Sequence, residues 1–424
     1  MEFDSIPGIF YTFDSIKLNI MNDNFKNHKV LVRVDFNVPL TEDNKVSDNT
    51  RILKALDTLN YILDQEASLI LMSHLGRPLR KLDDNGNIQV NKFSLKNIIP
   101  ELEKLLGRPV EFASDCIGEE AKQKAKSLKN GQVLLLENLR FHEEETKGDE
   151  EFAKKLADLG TYYVFNAFGT AHRKHASTYT IAKFFDKSHK DLGLLVREEL
   201  ENANKLLDNP KRPFTSIIGG AKVSDKIKLL DKLIQTSDNI LIGGGMSYTF
   251  VKALGGEIGL SLFEADYVKT AMDILEKAKA NNVNIYLPED STISNKFSNN
   301  GEVKVVKSTE IPDEWMGLDI GPKAIKQYCD IISKSKSIMW NGPLGVFEFE
   351  NFSKGTFQVA KAIAEATGQG AFSLIGGGDS VSAINKSGLA DRVSFISTGG
   401  GAMLKYFENK TLPCIEAILG DDKG

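Results

Sequence analysis

The chain is poor in cysteine. Cys116, Cys329 and Cys414 are the only three, they lie far apart and they form no C-x-x-C. That argues against a disulfide framework or a zinc cage and leaves buried free thiols as the simpler reading. Long apolar runs are missing as well: nothing approaches the roughly 18 consecutive apolar residues of a membrane span. The start, residues 1–14, is acidic, contains Pro7 and lacks the basic region of a signal peptide. A soluble, cytoplasmic chain with no membrane partner is therefore expected. There is no basic excess either, since 53 Lys and Arg against 58 Asp and Glu give a net charge of −5. Without a basic stripe or interleaved aromatic platforms, nucleic acid is a poor partner, and any anion site must be local. No repeat period or low-complexity tract is present, although Lys81 to Gln89 reads as a polar surface insertion.

What is present is an ordinary globular composition, 41% hydrophobic and 26% charged over 424 residues, which implies two or three domains rather than one core. Short β-branched and leucine-rich runs alternate with amphipathic segments, the pattern of an α/β protein with parallel sheets. Ten runs stand out: Val30 to Phe36, Leu69 to Met72, Val133 to Leu136 and Tyr162 to Phe165, then Phe214 to Ile218, Ile240 to Ile242, Val283 to Leu287, Ile338 to Trp340, Phe372 to Ile375 and Val393 to Ile396. Most are continuously apolar, so their strands should be covered on both faces. Between the two sets, Leu192, Leu195, Val196, Leu200, Ala203 and Leu207 keep helical spacing until Asn209-Pro210. This predicts an interdomain helix over 191–208, an N-terminal domain over 1–190 and a C-terminal one over 209–404. The tail, about 405–424, is expected to return as a helix to the first domain. Glu143 to Glu145 and Glu119 to Lys129 read as solvated faces, and His28, His175 and His189 have no evident partner.

The usual nucleotide signatures are absent. No Gly-Lys dipeptide exists for a P-loop, no tract satisfies G-x-G-x-x-G, and H-R-D and D-F-G are missing. Instead, strand-like runs end in glycine: Gly219-Gly220, Gly243-Gly244-Gly245, Gly376-Gly377-Gly378 and Gly399-Gly400-Gly401. Ligands bind beyond the carboxyl ends of parallel strands, where glycine lets backbone amides approach phosphate. One such tract is more simply a tight turn; four together point to a nucleotide. Within Gly220-Ala221-Lys222-Val223-Ser224-Asp225-Lys226, two lysines four residues apart are expected on one face of a helix beginning there. Gly377-Gly378-Asp379-Ser380 offers one carboxylate, enough for a magnesium ion that also holds phosphates and water, though an aspartate there also suits a plain helix cap.

The first half carries a different inventory, with seven of the ten arginines before residue 174. Arg51, Arg77, Arg140 and Arg173 adjoin strand-like runs together with His74, His142 and His172. Any one of these arginines alone suits a surface salt bridge, but converging forks imply a small polyanionic substrate.

In this order the segments resemble phosphoglycerate kinase, from about Phe25 to Ile418. The resemblance is carried by Arg33-Val34-Asp35-Phe36-Asn37-Val38-Pro39, Ser73-His74-Leu75-Gly76-Arg77-Pro78, Glu137-Asn138-Leu139-Arg140-Phe141-His142 and Ala167-Phe168-Gly169-Thr170-Ala171-His172-Arg173. It continues through the Lys222 segment, Gly317-Leu318-Asp319-Ile320-Gly321-Pro322, Trp340-Asn341-Gly342-Pro343 and the last two glycine triplets. It implies two Rossmann-like domains joined by a hinge, 3-phosphoglycerate on the first and magnesium-bound ATP or ADP on the second, and a monomer. Asp35, Phe36, Asn37, Arg51, His74, Leu75, Gly76, Arg77, Arg140 and Arg173 would then hold phosphoglycerate. Arg51, Lys222 and the amides at Gly377 and Gly400 would stabilise the transferring phosphoryl group. Gly220, Ala221, Lys226, Gly244, Gly245, Gly317, Asn341, Glu348, Gly378 and Ser380 would join Lys222 and Gly377 around the nucleotide, and Asp379 would ligate magnesium.

Three places depart from the family pattern: Phe165-Asn166 stands for its Asn-Asp, Phe395 for a histidine that would pair with Glu199, and Ala402-Met403-Leu404-Lys405 for its Ala-Ser-Leu-Glu. They bear on hinge closure rather than on phosphate ligands. The expected reaction is reversible phosphoryl transfer between ATP and the carboxylate of 3-phosphoglycerate. A kinase for another small carboxylate, or a catalytically silent nucleotide-binding scaffold, are the alternatives.

Overall fold

The structure is a computed structural model that describes Met21 and residues 24–420. The N-terminal tail and residues 421–424 of the predicted terminal helix lie outside the described residues. Contacts divide the chain into two units, one reaching to Ala167 and including His175–Glu201, the other comprising Phe168–Lys174 and the chain from Asn202 onward.

In the first unit, strands β1 (Lys29–Val34), β2 (Ser68–Met72), β3 (Val110–Ala113), β4 (Val133–Leu136), β5 (Tyr162–Asn166) and β6 (Lys190–Leu192) form one sheet in the order β3-β4-β2-β1-β5-β6. Every pairing is parallel. β2, β4 and β5 are buried at every residue, as strands with both faces covered must be. Helix Thr50–Leu63 shows why the helices dock here: Ile52, Ala55, Leu59 and Ile62 recur at helical spacing and are buried. Its first turn carries Arg51, and the Asp48 carboxylate accepts the Thr50 N–H at 2.8 Å.

The second unit contains β7 (Phe214–Ile218), β8 (Asn239–Ile242), β9 (Glu257–Ile258), β10 (Asn284–Tyr286), β11 (Asp290–Ser294), β12 (Val303–Lys307), β13 (Glu310–Ile311), β14 (Met316–Ile320), β15 (Ser337–Asn341), β16 (Phe372–Ile375) and β17 (Phe395–Ile396). Its main sheet is parallel in the order β10-β8-β7-β15-β16-β17. In the sheet's own numbering this is 3-2-1-4-5-6, the doubly wound dinucleotide-binding order. An antiparallel sheet β12-β11-β14 and the short pair β13-β9 stand beside it. The core gathers Ile217, Leu241, Ile338, Trp340, Ile363 and Ile375.

All ten apolar runs are strands, and the α/β architecture with two parallel sheets agrees with the sequence. At several points the local structure differs from the expectation or adds to it. Asp191 and Leu192 belong to β6, and the helix runs over Leu194–Leu207. The tail forms helices Gly400–Asn409 and Pro413–Leu419, and the Cys414 N–H donates at 3.2 Å to the carbonyl of Ala171, a residue within the span 1–190 expected of the first domain that contacts group with the second unit. Glu145 is not solvated: it is fully buried and accepts from the Ser177 N–H at 2.9 Å and hydroxyl at 2.7 Å, with His175 Nδ1 3.8 Å away. The insertion 81–89 is an exposed hairpin closed by a Leu82–Ile88 bridge.

Candidate active site

In the first sheet the winding reverses between β1 and β5, and in the second between β7 and β15. At such a switch point the connections leave in opposite directions and open a crevice beyond the carboxyl ends of the strands. The predicted site residues follow those ends.

In the first unit, Asp35 and Asn37 follow β1, His74 to Arg77 follow β2, and Arg140 follows β4 in a short 3-10 turn. Arg51 Nη1 donates to Asp35 Oδ2 at 3.0 Å, and His74 Nδ1 lies 4.0 Å from the other carboxylate oxygen. Arg33, wholly buried, places Nη2 3.2 Å from His74 Nδ1. A guanidinium only donates, so His74 Nδ1 accepts and the ring proton sits on Nε2. Asn37 Oδ1 accepts the Gly76 N–H at 2.7 Å, while Arg140 Nη1 donates to the Gly76 carbonyl at 2.7 Å. Asn138 holds the same segment from behind, accepting from the Leu75 N–H at 3.2 Å and donating to the Leu75 carbonyl at 2.8 Å. The fold thus brings Asp35, Asn37, Arg51, His74, Leu75, Gly76 and Arg140 together, with Arg77 exposed beside them; Phe36 is buried, its N–H bonded to the Ser73 hydroxyl at 2.9 Å.

Arg173 differs. It lies on the Phe168–Lys174 segment, which packs with the second unit, and its Nε donates to His172 Nε2 at 3.2 Å. Burial, then the charges of Arg173 and Lys405, lower the His172 pKa to about 4. His172 is therefore a neutral acceptor at physiological pH. His142 does not join the cluster; its Nε2 lies 2.8 Å from Asp115 Oδ1. Asp115, Cys116 and His142 place three metal-type donors within 4.8 Å of one another. Burial, then Asp115 and Glu145, push the Cys116 thiol well up, so it is a protonated core thiol beside an Asp–His pair.

In the second unit, β7 and β15 approach so closely that a Cβ on Gly219 would stand 2.0 Å from the Pro343 carbonyl oxygen. Gly219 and Gly220 donate their N–H groups to the Asn341 and Pro343 carbonyls at 2.9 and 3.1 Å. Beside this seam opens a cavity of about 450 Å³ lined by Gly220, Ala221, Gly244, Gly245, Gly317, Glu348 and Asp379 among others. Its apolar walls include Tyr248, Leu260, Leu262, Phe297, Leu318 and Val346. The size suits a small-molecule ligand, and apolar walls with few polar groups suit a flat base. Sequence reading missed these wall residues as a site: Leu260, Leu262 and Phe297 are exposed on loops and carry no periodic signal, while Tyr248 and Leu318 are buried and read as core.

Lys222 and Lys226 do not share a helix face. The helix begins only at Ile227, and Gly219 to Lys226 is irregular. The Ser224 N–H is taken by the Glu264 carboxylate at 2.9 Å instead of by a helical carbonyl, which leaves that stretch no reason to coil. Lys222 is exposed, whereas Lys226 is partly buried and donates to Asn341 Oδ1. Burial lowers the Lys226 pKa, against the opposing charges of Asp225, Asp379 and Glu408. Asn341 Nδ2 donates to the Gly376 carbonyl at 2.8 Å, and Ser380 Oγ accepts the Gly342 N–H at 2.5 Å. Helices Gly378–Lys386 and Gly400–Asn409 begin side by side: a Cβ on Gly400 would meet Gly377 Cα at 2.6 Å, and Gly377 itself has φ +95°. Two helix N-termini at one place form an anion site from backbone alone. Asp379, exposed in the first turn of one of them, makes no hydrogen bond among the described residues. Its free oxygens fit a magnesium ion that takes one carboxylate plus phosphates and water.

Comparison with known proteins agrees with this geometry. Residues 20–410 match the family described as phosphoglycerate kinase. A phosphoglycerate kinase of Porphyromonas gingivalis is 49% identical over 95% of this chain and 100% of its own length. A cytosolic phosphoglycerate kinase of Triticum aestivum is 48% identical over 93% of this chain and 96% of its own. The solved phosphoglycerate kinase of Coxiella burnetii superposes with a TM-score of 0.82 at 36% identity, covering 93% of this chain and 97% of that one. With the family matched over nearly its whole length and relatives 48–49% identical over more than nine-tenths of it, the chain belongs to the phosphoglycerate kinase family.

Proposed function

We infer that the chain catalyses reversible transfer of a phosphoryl group between ATP and the carboxylate of 3-phosphoglycerate, forming ADP and 1,3-bisphosphoglycerate. The observation that carries this is the division of labour between the two switch points. One gathers arginine, histidine and amide side chains for a compact polyanion. The other opens a glycine-walled cavity for a nucleotide.

The acceptor carboxylate is already a nucleophile, so no general base is needed and catalysis reduces to positioning and charge neutralisation. Arg140, His74 and Asn37 hold the phosphoglycerate, with Arg77 and Arg173 as further cations. Arg51 and Lys222 neutralise the transferring group, and the amides at Gly377 and Gly400 take its remaining oxygens. Lys226, steadied by Asn341, holds nucleotide phosphates. Magnesium, held by Asp379, supplies charge neutralisation at the phosphates when bound. Donor and acceptor are held by different units, so turnover depends on closure about the Leu194–Leu207 helix, which also protects the acyl phosphate from water. No helix of the described residues is long and apolar enough to cross a membrane; the cytoplasm and a monomeric state complete the proposal.

The test is ATP-dependent turnover with 3-phosphoglycerate and magnesium, coupled to reduction of the acyl phosphate, in the intact chain and in Lys222→Ala. Loss of a preorganised charge contact costs about 10²–10³ in kcat, and that loss with nucleotide binding retained is the expected result. Turnover on unphosphorylated glycerate but not on 3-phosphoglycerate would move the assignment to another carboxylate, and full activity in Lys222→Ala would end the catalytic reading of that residue.

A further inference from the structure

The Gly219–Lys226 loop presents a structural problem. It carries Lys222 and its Gly220 and Ala221 line the nucleotide cavity, yet no helix stabilises it before Ile227. A loop of this length that must hold a lysine to within a fraction of an ångström needs partners for its backbone donors. Its beginning is fixed by the end of β15 and the turn after it, through the Gly219 and Gly220 N–H groups on the Asn341 and Pro343 carbonyls. Its middle is fixed by one side chain: Glu264 Oε2 accepts the Ser224 N–H at 2.9 Å and Oε1 accepts the Ser224 hydroxyl at 2.6 Å. Burial pushes the Glu264 carboxyl up, but the bonds from Ser224 and the Val223 N–H, with the Lys222 charge, outweigh it and keep the group ionised.

Glu264 is itself anchored. Its N–H donates to the Thr249 hydroxyl at 3.0 Å, on helix Met246–Ala253, and Thr249 is wholly buried. The segment just before it supplies Leu260 and Leu262 to the cavity wall. One carboxylate therefore ties the loop bearing Lys222 to the wall of the nucleotide cavity.

We propose that Glu264 is a positioning residue for phosphoryl transfer, acting through Lys222 by clasping the Gly219–Lys226 loop onto that wall. The proposal rests on the reading of Lys222 as a phosphoryl-binding group. Glu264 touches neither substrate; its effect is to remove the freedom Lys222 would otherwise have to leave the reacting geometry. Misplacement by about 1 Å costs on the order of 10²-fold in rate.

The experiment is a double-mutant cycle in the full chain, with kcat and both KM values read by the coupled assay. Glu264→Ala should lower kcat about 10- to 100-fold and leave the KM for 3-phosphoglycerate unchanged. Glu264→Gln, which keeps one acceptor oxygen, should recover part of that loss, and Ser224→Ala should show a smaller fall in the same sense. If Glu264 works through Lys222, Lys222→Ala with Glu264→Ala will be no slower than Lys222→Ala alone, within about twofold. A double variant slowed by the full factor of Glu264→Ala overturns the proposal, as does wild-type kcat in both Glu264→Ala and Ser224→Ala. Those results would leave Lys222 intact as a catalytic group. Full turnover in Lys222→Ala would instead remove the reading beneath it. Should Glu264→Ala not fold, Glu264→Gln and Ser224→Ala carry the cycle.

Discussion

In the first unit the candidate site is made mostly of side chains: Arg51 on Asp35, Arg33 on His74, with Asn37 taking the Gly76 N–H and Arg140 donating to the Gly76 carbonyl. In the second it is made mostly of backbone, brought close because Gly219, Gly377 and Gly400 have no Cβ to keep it apart. The two designs fail differently. A side-chain site loses one contact per substitution and degrades by steps, whereas the backbone part of the other has no side-chain contact to remove and is lost by adding an atom.

The harshest way to probe the contrast is therefore a single methyl group. Gly219→Ala would set Cβ 2.0 Å from the Pro343 carbonyl oxygen and 2.7 Å from that of Gly342, a clash with main chain just beyond the neighbouring strand that no side-chain rotation relieves. A cost above about 4 kcal/mol, beyond ordinary overpacking, is expected. Both tryptophans, Trp315 and Trp340, belong to the second unit, so tryptophan fluorescence during urea unfolding reads that unit alone. An unchanged midpoint would mean the seam between β7 and β15 is looser than its geometry.

The next effect concerns how each unit treats a carboxylate. In the first, Asp35 and Asp191 face Arg51 and Arg197, although Glu145 is buried against Ser177. The second buries Asp319 with no cation, and burial raises its pKa to about 7 from 3.8, against the N–H groups of Gly355 and Ile320. The folded form then binds more protons than the unfolded chain between these values. Its contribution to stability is complete below about pH 4 and is lost as pH rises through about 7, by up to about 4 kcal/mol at roughly 1.4 kcal/mol per unit. Asp319→Asn cannot titrate, so the fall in tryptophan-monitored stability from pH 5 to pH 8 should be smaller in the variant. Equal slopes would show that Asp319 keeps its charge.

A milder cut tests the side-chain design. Arg51→Ala removes one charged hydrogen bond, worth about 1.5–3 kcal/mol, and should raise the KM for 3-phosphoglycerate or lower kcat by roughly 10- to 100-fold. Nucleotide affinity should stay as it was, since Arg51 and the cavity lie in different units. A parallel loss of nucleotide binding would break the comparison.

The same contrast decides what could be read from the sequence. Arginine, histidine and glycine tracts after apolar runs were legible because residue type alone announces anion binding, and all ten runs became strands because continuous apolar burial needs no context. β3 and β6 were missed: each is short, at an edge of the sheet, and broken by Glu111 or Asp191. The small sheet through Asp290–Ser294 was missed because its buried Asp290, Ser291 and Ser294 look like loop residues until their partners are known. The Lys222 loop reads as helix in sequence because the carboxylate that satisfies its donors lies 40 residues away. Polar atoms satisfied over long range leave no local pattern.

Glu143 and Glu145 put that lesson on its smallest scale. Neighbours in one acidic run, they differ only in what the fold brings to them: Glu143 pairs with Lys147 in solvent, its side chain 66% exposed, while Glu145 is fully buried against Ser177. Surface pairs contribute at most about 1 kcal/mol and often nothing, so Glu143→Gln should be silent. Glu145→Gln replaces one accepting oxygen by a donor facing Ser177, at about 1–2 kcal/mol. Hydrogen exchange at the Ser177 amide isolates the effect from the rest of the molecule. Exchange roughly 5- to 30-fold faster in Glu145→Gln, and unchanged in Glu143→Gln, is the expected pair of results. Equal exchange in both would mean that the Glu145–Ser177 bonds add nothing to local order, and that burial by itself does not separate these two acids.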